Sequence, residues 1–192
     1  MTTIVVVRKN GYVALAADTM TKWGTGKETA EYVVNHHKTF KVGGTVLAIT
    51  GNTTFKAILS DYFARPKVEA HFDNVQNIFK TWQTMHAVLK DEYFLNAGPS
   101  SDDPVETTRV DVLLANKHGI FGVAAHRTVQ EFSRYYAFGS GADYAMGAMY
   151  SVYNDRRRNA EAIAKLAVEA AAEFNDGTAL PITSHRIRLS KS

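Results

Sequence analysis

The chain has no cysteine among its 192 residues. That excludes a disulfide framework, thiolate catalysis and cysteine-based zinc sites together, and it fits a reducing compartment. Nor is there an apolar run long enough to span a bilayer, or the basic, then apolar, then small-residue order of a signal peptide. There is also little excess of one charge sign, with 22 Lys and Arg against 19 Asp and Glu. The formal charge is +3, with Arg156-Arg157-Arg158 the only basic block, so nucleic acid is not implied. The histidines at 36, 37, 71, 86, 118, 126 and 185 lack the helical i, i+4 pairing with an adjacent glutamate that a zinc peptidase uses. Gly139-Ser140-Gly141 is not followed by the Lys-Ser/Thr of a phosphate loop, so neither metal nor nucleotide cofactor is expected. A hydrophobic content of 45% with 21% charged residues remains, which is the composition of a globular protein. The expectation is one cytoplasmic domain over residues 1–192, with no membrane association.

What the chain does have begins at Met1-Thr2-Thr3-Ile4-Val5-Val6-Val7. Removal of Met1 would leave Thr2 carrying a hydroxyl and a free α-amine. That amine, with a reference pKa of roughly 7.7 to 8.0, is partly neutral near pH 7 and can serve as a base for the hydroxyl. Ile4 to Arg8 and Tyr12 to Ala17 flank Asn10-Gly11, the strongest short hairpin signal. Asp18 therefore returns to the neighbourhood of Thr2. The segment from Thr19 to Glu31 reads as a loop, and Tyr32-Val33-Val34 as a short strand. A second hairpin is expected over Lys38 to Val42 and Thr45 to Thr50.

Apolar spacing predicts helices from Thr53 to Arg65 and, capped by Asp73, to about Tyr93. A loop from Asn96 to Glu106 leads to strands over 109–116, 120–125, 129–135 and 136–138. Helices over 142–153 and 159–174 precede a last strand over 182–189. Strands gathered in hairpins between helix pairs exclude a βαβ alternation. They predict an α+β fold: two antiparallel sheets face to face with helices outside.

A threonine nucleophile needs a cation to lower its hydroxyl pKa, a carboxylate to hold that cation, and donors for an oxyanion. Asp18, Lys38 and Gly51 stand at strand ends that suit these parts, with Lys41 or His36-His37 as alternatives for the cation.

Thr2-Thr3-Ile4-Val5, Asn10-Gly11, Ala16-Ala17-Asp18, Lys38, Ala48 through Gly51 and Phe138-Gly139-Ser140-Gly141-Ala142-Asp143-Tyr144-Ala145 resemble the proteasome β-type subunits of bacteria, nearest the HslV kind of threonine peptidase. The resemblance implies the αββα four-layer sandwich of N-terminal-nucleophile hydrolases and a self-compartmentalising homo-oligomeric double ring of hexameric or heptameric rings. It implies Thr2 as nucleophile and base, Lys38 as the cation, Asp18 as its anchor, and Ser140 on the Thr2 amine. Gly51 would donate to the oxyanion, and Thr21 and Ile49 would border the substrate. Glu173 matches the acidic position that supports the amine. Polypeptides are the implied substrates, without cofactor or metal, and an ATP-dependent unfoldase is a compatible partner. Two other readings share the fold: a catalytically silent ring scaffold that keeps Met1, and an amidase for small amides.

Overall fold

The computed structural model describes residues 2–98 and 103–190. Met1, on whose removal the catalytic reading depends, lies outside the described residues, as do Pro99 and the Ser100-Ser101 pair of the expected 96–106 loop. In chain order the elements are β1 (Thr3–Lys9), β2 (Tyr12–Ala17), β3 (Thr21–Trp23), β4 (Gly26–Glu28), β5 (Thr39–Val42) and β6 (Thr45–Ile49). Then follow α1 (Thr54–Ala64), α2 (Val75–Asp91), β7 (Val112–Ala115), β8 (Ile120–Val123), β9 (Val129–Glu131), β10 (Tyr135–Gly139), α3 (Ala142–Val152), α4 (Ala160–Phe174) and β11 (Thr183–Arg188).

Among the described residues the strands form a four-stranded sheet in the order β10-β1-β2-β11, a five-stranded sheet in the order β5-β6-β7-β8-β9, and the small hairpin β3-β4. Every pairing in them is antiparallel. Asn10 and Gly11 both take positive φ, 51° and 75°, which a two-residue turn between twisted strands requires. This turn sets Ile4 opposite Ala17 and Lys9 opposite Tyr12.

Side-chain alternation divides the core into three layers. Ile4, Val6, Val13 and Leu15 meet Val46, Ala48, Leu113 and Ile120 between the sheets. The alternate residues Val5, Val7, Ala14 and Ala16 face the alanine-rich side of α4 and Met149 of α3. Leu47, Ile49, Val112 and Leu114 face Leu59 of α1 and Ile78, Trp82 and Met85 of α2. Strands covered on both faces read as unbroken apolar runs. The observed order of layers is helices, sheet, sheet, helices: the expected αββα sandwich.

Some local expectations are corrected. The loop expected over 19–31 contains the β3-β4 hairpin. Tyr32-Val33-Val34 lies in a turn region, with Tyr32 79% and Val34 92% exposed, and among the described residues no strand pairs with it. Asn74, not Asp73, caps α2 by accepting the Asn77 N–H at 2.9 Å, while Asp73 binds the Asn77 side chain. The strand expected from Arg109 begins only at Val112, since Arg109 has a positive φ of 57°.

Candidate active site

The hairpin register brings Thr3 alongside Asp18. The Thr3 N–H donates to Asp18 Oδ1 at 2.9 Å, and the Asp18 N–H donates to the Thr3 carbonyl at 3.2 Å. Asp18 is fully buried. Its carboxylate also accepts the Met20 N–H at 3.1 Å and the Lys38 ammonium at 2.8 and 2.9 Å, one contact to each oxygen. Lys38 stands just before β5, in the other sheet, and is 7% exposed. Burial pushes the Asp18 carboxyl above its ordinary pKa, opposed by the Lys38 charge and by the N–H donors. Burial likewise draws Lys38 below its ordinary pKa, opposed by Asp18. The two contacts and the backbone donors favour the ionic form of both partners.

Thr2, directly before Thr3, is 4% exposed. Its nitrogen, a peptide N–H while Met1 is attached, donates to Ser140 Oγ at 3.4 Å. Ser140 stands between two glycines that the packing demands. A Cβ on Gly139, whose φ is +103°, would come within 2.0 Å of the Thr2 carbonyl oxygen, and one on Gly141 within 2.3 Å of Thr3 Oγ1.

Behind Ser140 the residue in place is Asn175, the C-cap of α4. The Ser140 hydroxyl donates to Asn175 Oδ1 at 2.9 Å, and Asn175 Nδ2 donates to the Ser140 carbonyl at 3.2 Å. Glu173, which the resemblance puts in support of the amine, is exposed on the last turn of α4 and, among the described residues, forms no hydrogen bond or ion pair with the cluster. A residue beyond the last turn escapes the helical phase, so helix periodicity could not find Asn175. Thr178 was missed too: its hydroxyl lies 2.6 Å from Thr3 Oγ1.

Thr2 opens onto a cavity of about 200 Å³ lined also by Thr21, Lys38, Ile49 and Gly51, so that these expected residues share one wall system. Gly51 has a φ of +92°, and a Cβ there would press on the Arg109 carbonyl at 3.1 Å. A larger cavity, about 630 Å³, lies between the end of α1 and α2 and contains none of the candidate residues. Among the described residues no group of three or more His, Asp or Glu side chains could hold a metal ion, and no helix is long and apolar enough to cross a membrane.

No family model matches the sequence, and no curated protein shows significant similarity to it. Solved structures do. Thiobacillus denitrificans BPH, a bacterial proteasome-like protein, is 53% identical with a TM-score of 0.94, over 99% of this chain and 100% of that one. Its complex with epoxomicin matches at 53% identity and a TM-score of 0.93, over 98% and 100%. Eukaryotic HslV from Trypanosoma brucei shares the fold at 16% identity, with a TM-score of 0.68 over 97% and 99%. With this fold, and with identity of that level over nearly the whole length, the chain belongs to the proteasome β-type, HslV-like family of N-terminal-nucleophile hydrolases.

Proposed function

We propose that the chain is a threonine-type endopeptidase subunit, acting as one peptidase domain in a cytoplasmic homo-oligomeric ring on polypeptide substrates. The observation that carries this reading is the buried Lys38 ammonium held by both oxygens of Asp18 beside Thr2. The epoxomicin complex of the 53% identical BPH supports it.

In this reading Met1 is removed and the Thr2 nitrogen becomes an amine. The Thr2 hydroxyl attacks the substrate carbonyl carbon while the amine takes its proton, and the Lys38 charge favours the alkoxide. The oxygen of the tetrahedral intermediate takes the negative charge, and the Gly51 N–H, which has no protein acceptor among the described residues, donates to it. The amine passes its proton to the leaving nitrogen, and the peptide bond breaks. An acyl ester stays on Thr2 Oγ1. Water, deprotonated by the same amine, attacks the ester, releases the new carboxyl end and regenerates the hydroxyl. Ser140, backed by Asn175, orients the amine throughout. Thr21 and Ile49 border the substrate. An ATP-driven unfoldase would act as a separate partner.

Intact-mass analysis of the purified particle, with and without epoxomicin, tests this. The expected species begins at Thr2 and gains the mass of one inhibitor, and Thr2→Ala abolishes both the gain and peptide cleavage while rings persist. Rings that begin at Thr2 yet neither label nor cleave would make the chain a silent scaffold. Turnover confined to small amides would make it an amidase.

A further inference from the structure

The strands β5 and β11 are the outer strands of different sheets, so no backbone ladder joins them. Side chains do. His37, directly before Lys38, places Nδ1 2.7 Å from Thr183 Oγ1 at the start of β11. Thr39, directly after Lys38, places Oγ1 3.1 Å from Nε2 of His185, two residues further along β11. Thr183 and His185 are two apart on β11 and share a face, while His37 stands just ahead of β5 and Thr39 opens it, so each side contributes one threonine and one histidine in reversed order. Lys38 lies between the two bonds.

Two further tethers act on the same stretch. Lys56, in the first turn of α1, donates to the carbonyls of Asn35 and His37 at 2.8 and 2.6 Å. On the side of β6 the Ile49 N–H donates to the Lys38 carbonyl at 3.2 Å. The backbone from which Lys38 reaches into the protein is thus held by β11, α1 and β6. A buried ion pair is favourable only where its geometry is well maintained, and a lysine side chain has four rotatable bonds to be held in line.

We propose that the reciprocal pairs His37 with Thr183 and Thr39 with His185 form a clasp across the open edge of the sandwich that positions Lys38 against Asp18 and Thr2. These are positioning residues, and their role in catalysis rests on the peptidase reading above. The clasp is also sensitive to acid. His36 lies against His37 with ring centroids 4.2 Å apart and ring planes tilted by 49°, and Lys56 donates to the His37 carbonyl from α1. Lys41 on β5 and Glu161 on α4 act on His185. Partial desolvation at the exposed His37 and burial at His185, each followed by these neighbouring charges, hold both below the ordinary histidine pKa, with Glu161 the opposing charge at His185. Both imidazoles are neutral at pH 7. Below their lowered pKa values each gains a charge among lysines and histidines, and the clasp loosens.

Thr39→Val and Thr183→Val each delete one hydroxyl at nearly constant volume and lie outside the cavity lining. In the assembled particle each is expected to lower kcat about tenfold or more with KM retained, as a small misplacement of a catalytic group does. Crystal structures of these variants should show Lys38 no longer contacting both Asp18 oxygens. Protonation of the Thr2 amine already lowers the rate below about pH 8, so below pH 6.5 wild-type kcat should fall more steeply than that one ionisation allows, and His185→Gln, which keeps a hydrogen-bonding side chain but gains no charge, should remove the added steepness. Unchanged kcat, acid limb and Lys38 geometry in both valine variants would overturn the clasp. If the wild-type particle neither cleaves nor labels, the peptidase reading fails. The Lys38 geometry in the valine variants then decides the clasp alone.

Discussion

Lys38 Nζ lies 2.8 and 2.9 Å from the two oxygens of Asp18, and the pair joins residues at strand ends of different sheets. With exposures of 7% and 0%, neither charge has bulk water to fall back on. Removing one partner should therefore be worse for the fold than removing both.

Lys38→Met is expected to cost about 3–5 kcal/mol, the usual penalty for a buried charge left alone, and Asp18→Asn with Lys38→Met, which removes the charge but keeps an acceptor for the Thr3 N–H, to recover much of it. Both variants should be inactive. Denaturant unfolding at fixed protomer concentration measures the first effect and peptide turnover the second. Equal stability of the single and double variants would contradict the paired state described here.

Burial also sets the alkaline limit. Lys38 carries its charge below its folded pKa and loses it above, and that pKa lies under the ordinary 10.5. The rate of epoxomicin labelling should rise as the Thr2 amine deprotonates near its reference pKa of about 8, then fall before pH 10.5 is reached. A rate that stays level past that value would show that the ammonium is not required.

Two glycines give opposite expectations. Gly141→Ala would place a Cβ 2.3 Å from Thr3 Oγ1 and 2.9 Å from the Ala171 Cβ, so a loss of about 1–3 kcal/mol is expected, as for an overpacked core. Gly147→Ala, within α3 and with open space around it, should gain about 0.4–1 kcal/mol by restricting the unfolded chain. Thermal unfolding of the two variants beside wild type checks both signs.

Asn175→Ala removes the group that holds Ser140 from behind. Acylation should slow by about tenfold or more, with little change in substrate affinity. Glu173→Ala, at an exposed position on α4, should change stability by no more than about 0.5 kcal/mol. If instead the glutamate variant is the slow one, the support of the amine comes from α4 itself.

The contrast between those two residues marks where reading the sequence stops. Helix and strand positions were legible because burial repeats with a period, and Asn10-Gly11 identified the hairpin that carries Thr3 to Asp18. Lys38 was distinguishable from Lys41 only through burial, which depends on the second sheet. Asn175 follows the last turn of α4, where no periodicity guides the eye. Tyr32-Val33-Val34 has the residues of a strand but, among the described residues, no neighbour to pair with, and composition cannot report a missing neighbour. The His-Thr clasp joins positions 37–39 to 183–185, a separation no local pattern spans.

The turn at Asn10 and Gly11 lies roughly 20 Å from Thr3, at about 3.3 Å per strand residue. It nevertheless determines the layout of the candidate site, since counting back equally along both strands from the turn is what lands Thr3 on Asp18. The hairpin is a ruler. One residue added to a single strand would slide Asp18 out of reach and turn every inward side chain of that strand outward. The lengths of β1 and β2 are therefore locked to each other, and only paired insertions, one in each strand, leave the site assembled.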